Sequence, residues 1–431
     1  MYTPNQTDIT QFKTALDQKM LPELFTKAGI NPAYKKNPCP VCGKYSLEVW
    51  TVGQDEEKIY QWICSECMAG GGTYEMLAAL QGDLHPRMQS IGKVLSVSGY
   101  LEKEYDADIK YFAKYKHRKS GFSNLDQYLT LYPGLMFIGG AASVGKTTFA
   151  VNLCDNLARR NEHIVYFSLE QDPLELVTKL IARRVFEDDP ETTITNLDIK
   201  NGIESYAVRE ARARTAQELK NFHIYGGNFS ITVNDIINHV NTYIEDYKAL
   251  PIVVVDYLQL IAPTRDMISR RYQTKEIIDE NIKALKKWQK DNELLVILIS
   301  SFNRSSYSQP VSYEAFKESG AIEYTADYLL GVQLSVLENP DFYSRLGAQK
   351  GIRQTTAKER SDMIDQAQAE NPKQVEVKFL KNRNGKQSFE GFFYYYNKND
   401  HFRVSNIDPR KESLITAPDD DPNPFDDTEI L

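Results

Sequence analysis

The stretch FIGGAASVGKTTFA, residues 137–150, joins an apolar run to a helix-forming run through a loop bounded by glycines. It contains the pattern GxxxxGKT, built from Gly140, Ala141, Ala142, Ser143, Val144, Gly145, Lys146 and Thr147, with Thr148 next in line. Glycines let the backbone wrap closely around phosphate oxygens, and the start of the following helix favours an anion. In that arrangement Lys146 reaches the β and γ phosphates of a nucleoside triphosphate such as ATP. The Thr147 hydroxyl ligates magnesium. A strand before the loop and a helix after it are the context this motif needs, which weighs against a chance glycine-rich turn.

From about Gly121 onward, short apolar runs alternate with amphipathic ones. Strands are expected at Leu135–Gly139, Ile164–Leu169, Ile252–Val255, Leu294–Ile299 and Val375–Leu380. This alternation implies an α/β fold with a mostly parallel sheet flanked by helices. Two strand ends carry carboxylates. PIVVVDYLQLI closes its β-branched run on Asp256, where a carboxylate is costly unless it faces a cation or water. Asp256 is therefore read as the second magnesium contact, against a plain turn cap. IVYFSLEQDP places Glu170 just past another strand. Glu170 is read as the catalytic glutamate that polarises water beside the γ phosphate, provided the strands are neighbours.

An ordered set of segments then becomes informative: GFSNLDQYL (121–129), the phosphate loop, FSLEQ (167–171), VDYLQLI (255–261), SSFNRSS (300–306), FKESGAIEYTADYLL (316–330) and KNRNG (381–385). Together they resemble the motifs of DnaB-type replicative helicases, from about Gly121 to Phe402. The resemblance implies a RecA-like P-loop ATPase core. It also implies a homo-oligomeric, hexameric ring that moves 5′ to 3′ on single-stranded DNA, with a replication protein or loader as a further partner. KNRNG is similar to the family's arginine-finger motif, which puts Lys381 and Arg383 against the γ phosphate of the neighbouring subunit. FKESG is similar to the loop that grips the DNA backbone, which maps onto Lys317, Glu318 and Gly320. Two departures stand out. Ser301 occupies the place of the family's γ-phosphate-sensing glutamine and has a shorter reach. Lys317 replaces the usual arginine, keeping the charge and losing the bidentate fork.

Upstream, Cys39-x2-Cys42 and Cys64-x2-Cys67 have zinc-ribbon spacing. Pro40 and Gly43 suit the tight turn in which amides face thiolates, and zinc would compensate for the lack of a core in so small a module. CSECMAGGGTYEML, residues 64–77, resembles the zinc-binding domain of bacterial and phage primases, so the layout is similar to that of phage or mobile-element primase-helicases. Residues 85–120 are too few for a primase catalytic domain, which takes roughly a hundred residues or more. Primer synthesis is therefore not expected, and the module is read as binding single-stranded DNA or a partner protein. Trp50, Tyr60 and Trp62 either stack bases or fill the ribbon's core. Cys154, on the helix after the phosphate loop, is read as packing.

The expected organisation is a helical start and zinc ribbon at 1–84, a connector or linker helix at 85–120, the ATPase at 121–410 and an acidic tail at 411–431. The connector ends in KYFAKYKHRK, residues 110–119, whose Tyr111, Phe112 and Tyr115 leave one apolar stripe. Residues 338–372 read as a polar insertion, helical around Thr356–Ala369. A net charge of −8 over 431 residues argues against a surface coated in basic groups. It leaves room for a local basic channel. No apolar run reaches membrane-spanning length, so a cytoplasmic protein without membrane contact is expected. Two other functions compete. One is a RadA-like recombination ATPase, which also joins a four-cysteine module to a RecA core. The other is an ATP-gated module that binds DNA or a host replication protein without unwinding, which Ser301 favours.

Overall fold

The computed structural model describes residues 20–41, 44–52, 59–66, 70–71, 73, 76, 80, 96–227, 229–316, 320–346 and 352–408. The chain divides into two compact units, Met1–Lys103 and Glu104–Leu431. The division falls inside the connector.

In the first unit, strands β1 (Asn37–Pro38), β2 (Tyr45–Val52), β3 (Ile59–Cys64) and β4 (Gly70–Gly71) form an antiparallel sheet in that order. The helix Leu21–Lys27 buries Leu21, Leu24 and Phe25 in a small core with Leu47, Trp62 and Met76. Trp62 thus belongs to the core, while Trp50 is exposed and Tyr60 packs edge-on against Phe25. Of the helical pattern expected over residues 1–30, Phe12 and Leu16 lie outside the described residues.

Among the described residues, the second unit is built on a sheet of nine strands. Six are parallel: β5 (Gly134–Gly140), β6 (Ile164–Ser168), β7 (Phe222–Gly226), β8 (Ile252–Asp256), β9 (Leu295–Ser301) and β10 (Tyr328–Leu334), in the spatial order β10-β5-β9-β8-β6-β7. Three more continue the sheet antiparallel beyond β10: β13 (Lys373–Asn382), β14 (Phe389–Tyr396) and β15 (His401–Ser405). A separate two-stranded ribbon joins β11 (Ser344–Leu346) to β12 (Ile352–Gln354). The central strands are buried on both faces, which is why they read as continuous apolar runs. One face is covered by the helices Lys146–Ala158 and Pro173–Asp188, with Cys154 fully buried among them. Val233–Tyr247 and Thr274–Asn292 cover the other.

All five expected strands are present, with ends shifted by one or two residues. The expected helix in 338–372 runs Ala357–Ala369, started by Thr356, whose hydroxyl accepts from the Glu359 amide. Among the described residues, no helix is long and apolar enough to cross a membrane.

Candidate nucleotide and subunit-contact site

β5 delivers the chain to the phosphate loop at Gly140, and the next helix begins at Lys146. Gly145 turns the chain between them at φ 93°, and a Cβ there would sit 2.7 Å from the Tyr395 ring. Both facts exclude a side chain. Lys146 Nζ donates to the Ala141 carbonyl at 2.7 Å. Burial lowers the pKa of its amine, and the carboxylates of Asp256 and Glu170 oppose that shift.

β6 and β8 are hydrogen-bonded neighbours with Ser168 opposite Asp256, and the Leu169 amide donates to the Asp256 carbonyl at 2.8 Å. β6 thus neighbours the Asp256 strand, while β8 and β9 lie between β6 and the phosphate-loop strand β5. Glu170 and Asp256 line one cleft with Lys146 and Thr147, about 560 Å³ in volume. Asp256 is only 2% exposed. Burial pushes its carboxyl up to about 6, against the hydroxyls of Tyr166 and Thr147, which pull it down. Tyr166 donates to Oδ2 at 2.8 Å, whereas Oδ1 is buried and accepts no hydrogen bond within ordinary range. A buried carboxylate oxygen left without a donor, with a threonine hydroxyl alongside, suits a hard divalent cation. These residues therefore fit magnesium.

The cleft has a second wall that the sequence did not reveal. Lys373 and Tyr395 come from the antiparallel strands β13 and β14, Asn397 and Asp400 from the turn between β14 and β15, and Lys179 and Asn196 from the helical side. Asp400 binds this wall together. Its Oδ1 accepts from Thr148 Oγ1 at 2.9 Å and Lys179 Nζ at 2.7 Å, and its Oδ2 from Asn196 Nδ2 at 2.6 Å. Thr148 lines the cleft but spends its hydroxyl on this wall. Lys373 donates to the Ser143 carbonyl at 3.3 Å, and burial lowers its pKa. Tyr395, Asn397 and Asp400 sit in YYYNKND, a string that reads as a polar turn and carries no motif.

At the end of β9, Ser301 stands opposite Gly140 and lines the cleft. Ser300 is buried, and its hydroxyl accepts from Gln259 Nε2 at 3.0 Å. Ser301 is thus the serine available to the cleft. The next residue, Phe302, packs edge-on against Phe316 with ring centroids 4.9 Å apart. Both rings lie over Gly139, where a Cβ would come within 2.4 Å of each. Phe316 immediately precedes the FKESG loop. Lys317 and Glu318 lie outside the described residues, and Gly320 starts the exposed end of the helix Gly320–Thr325.

KNRNG ends β13 and turns toward β14. Asn382 Nδ2 donates to the Tyr128 carbonyl at 3.1 Å, Asn384 Nδ2 donates to the Tyr328 hydroxyl at 3.2 Å, and Lys386 lies over the Tyr128 ring. Lys381 Nζ donates to the Glu323 carbonyl at 2.8 Å. Desolvation, then Arg383, lowers its pKa. The Arg383 amide donates to the Asp327 carbonyl at 3.0 Å, and the Asp327 amide donates to that of Leu135 at 2.8 Å. Arg383 therefore sits beside the start of β5, and the phosphate loop lies at the far end of that strand. Seven strand residues span about 20 Å, beyond the reach of an arginine side chain.

In the first unit, Cys39 and Cys64 are both buried, and no disulfide joins them. The Val41 amide donates to Cys39 Sγ at 3.4 Å, and Cys64 Sγ lies 3.0 Å from Ser46 Oγ. Lys44 and Glu66 form an exposed ion pair at 2.8 Å. Cys42 and Cys67 lie outside the described residues. Among the described residues, no group of three or more metal-binding side chains is assembled.

Comparison with known proteins decides the family. The DnaB-like helicase C terminal domain matches residues 118–399. The chain belongs to this family. Among curated relatives, it is 30% identical to the replicative DNA helicase DnaB of Haemophilus influenzae over 219 residues, which is 49% of this chain and 45% of that protein. It is 28% identical to the DnaB of Geobacillus stearothermophilus over 258 residues, covering 58% and 53%. A probable plasmid replicative DNA helicase of Chlamydia psittaci matches at 25% over 289 residues, covering 62% and 59%. The chain spans about half the length of the curated relatives it matches. Among solved structures, the ATPase domain of G40P superposes with a TM-score of 0.55 at 20% identity, covering 72% of this chain and 99% of that one. A DnaB-like replicative helicase studied with primase gives 0.53 at 19%, covering 76% and 71%. These superpositions show that the chain shares the fold of both structures, a mixed α/β unit with a large, mostly parallel sheet.

Proposed function

We propose that this chain is the motor of a replicative DNA helicase, an ATP hydrolase that moves 5′ to 3′ along single-stranded DNA as a hexameric ring. Family membership supports the class of activity. The observation that supports the shared-site reading is that Arg383 lies one strand length from its own phosphate loop, too far to reach its own nucleotide.

On this reading the loop Gly140–Thr147 holds the triphosphate of ATP, with Lys146 on the β and γ oxygens. Thr147 and Asp256 hold magnesium, which when bound neutralises phosphate charge. Glu170 orients the attacking water and accepts its proton. Arg383 and Lys381 of an adjacent copy stabilise the charge that develops on the γ phosphoryl group. Ser301 reads the γ phosphate from the end of β9, and Lys317, Glu318 and Gly320 hold the DNA backbone. The packing of Phe302 and Phe316 over Gly139 supports a mechanical link between these two ends. In the first unit, Cys39, Cys42, Cys64 and Cys67 hold zinc, a reading supported by the buried pair and the amide aimed at Cys39 Sγ. That unit binds single-stranded DNA or a replication protein, with exposed Trp50 available for stacking. The compact zinc-plus-helicase layout fits a phage or mobile-element protein acting in a bacterial cytoplasm.

The test is displacement of a labelled strand from a fork with a free 5′ tail. Wild type should unwind it, and Lys146→Ala should lose both unwinding and ATP turnover while melting normally. ATP hydrolysis without displacement at either polarity would sink the helicase reading. Ser301 favours one alternative, an ATP-gated DNA-binding module. Turnover that ignores DNA, together with stable DNA capture, would select it.

A further inference from the structure

Asp327 lies just before β10, at the end of the sheet away from the phosphate loop. Its side chain is 6% exposed and gathers donors from three elements. Lys286, from the helix Thr274–Asn292, forms an ion pair with Oδ2. The Leu135 amide of β5 donates to the same oxygen at 2.8 Å. Arg383 Nη1 lies 2.7 Å from Oδ1. The Arg383 side chain is nevertheless 62% exposed. One corner of its guanidinium is held, and the rest of its N–H fork faces outward.

We propose that Asp327 is a positioning residue for Arg383: it holds the guanidinium at the sheet's edge in the pose that meets the nucleotide of the adjacent subunit. The proposal rests on the reading of Arg383 as a cation supplied in trans. An exposed arginine on a free stem samples many rotamers, and a transition state gains only from those aimed at it. A carboxylate anchored by a β5 amide removes most of the others. Two cations share that one carboxylate, so Lys286 offsets its charge and Arg383 keeps its attraction for phosphate. On this proposal Asp327 acts on turnover through Arg383 rather than on the reacting atoms.

Mixed oligomers test this. The Lys146→Ala chain has no working phosphate loop but an intact arginine, and the Arg383→Ala chain has the reverse. Mixed one to one with single-stranded DNA, they should recover ATP turnover at interfaces where each supplies its good half. Asp327→Asn is then added to one partner at a time. On the Lys146→Ala chain, recovered turnover should fall at least tenfold with KM for ATP unchanged. On the Arg383→Ala chain it should make no difference, since the arginine it serves is already gone. That second arm also controls for misfolding. Equal loss in both arms would make Asp327 a fold residue and overturn the proposal, as would retention in both. If the parent mixture recovers nothing, the trans reading of Arg383 fails first, and the proposal falls with it.

Discussion

Asp256 in the metal-free protein is a buried anion with one oxygen unbonded, and this has a measurable cost. Burial pushes its carboxyl up to about 6, from the ordinary 3.8. A group whose folded value is raised contributes stability that is complete below the unfolded value and lost as pH rises through the folded one. At pH 7.5 the penalty is about 3 kcal/mol, because each tenfold change in proton affinity is worth about 1.4 kcal/mol. Asp256→Asn should therefore melt higher than wild type at pH 7.5 in chelator, with about half of that gain at pH 5. Thermal melts at the two pH values check this; a variant that melts lower at pH 7.5 would contradict it. The same substitution should abolish magnesium-dependent turnover. Arg383→Ala should retain nucleotide binding and lose about a thousandfold in ATP turnover, the scale of a trans-supplied cation. Unchanged turnover in that variant would remove Arg383 from the site.

On the proposed reading, Gly139 lets one element join two sites. The strand that carries the phosphate loop is also the floor on which Phe302 and Phe316 rest. Gly139→Ala forces those rings to move, at a cost of about 1–3 kcal/mol. Nucleotide should still bind, while the stimulation of turnover by DNA should drop several-fold. The ratio of stimulated to basal rate, with the melting temperature alongside, measures this; a full ratio in a destabilised protein would mean the rings only fill space. The same scale explains what could be read in advance. β5, β6, β8 and β9 announce themselves because these parallel strands are apolar on both faces, and β13 because Val375, Val377 and Phe379 alternate with polar residues. β7 escapes notice because FHIYG is half-exposed at the sheet's edge, and β14 because alternating Phe389, Phe393 and Tyr395 with half-exposed neighbours gives only half a signal. That Lys146, Glu170 and Asp256 meet in one cleft was legible, because a glycine-bounded loop and two carboxylates at the ends of apolar strands are local signals. The opposite wall was not, since Lys373, Asn397 and Asp400 meet through packing rather than through a local pattern. Asp327 lay in plain sight within TADYLL, but nothing local marks a carboxylate whose partners are 41 and 56 residues away in Lys286 and Arg383.

At the scale of the whole chain, the two units draw on different sources of stability. The second has extensive buried layers on both faces of its sheet, whereas the first has a small core and two buried thiols. On the proposed zinc reading, metal analysis should find one zinc per chain, and Cys39→Ala should lower that toward zero. A strong chelator should then melt the first unit while nucleotide binding by the second persists. Full zinc loss with no change in the melting of either unit would leave the metal without a structural role. The chain as a whole carries a net charge of −8. On the proposed reading DNA affinity therefore rests on local cations such as Lys317, and Lys317→Ala should make the fall of affinity with added salt shallower.

The strand that holds Arg383 about 20 Å from its own phosphate loop also sets how rate responds to dilution. On the proposed reading, a solitary chain owns only half of each hydrolytic centre, so turnover per chain cannot be a constant. It should climb with protein concentration until association is complete, then level off. Cells would thereby be spared idle ATP consumption by unassembled copies, with no separate inhibitor required. A specific activity that stays flat from nanomolar to micromolar chain, with monomers present at the lower end, would show that one copy suffices.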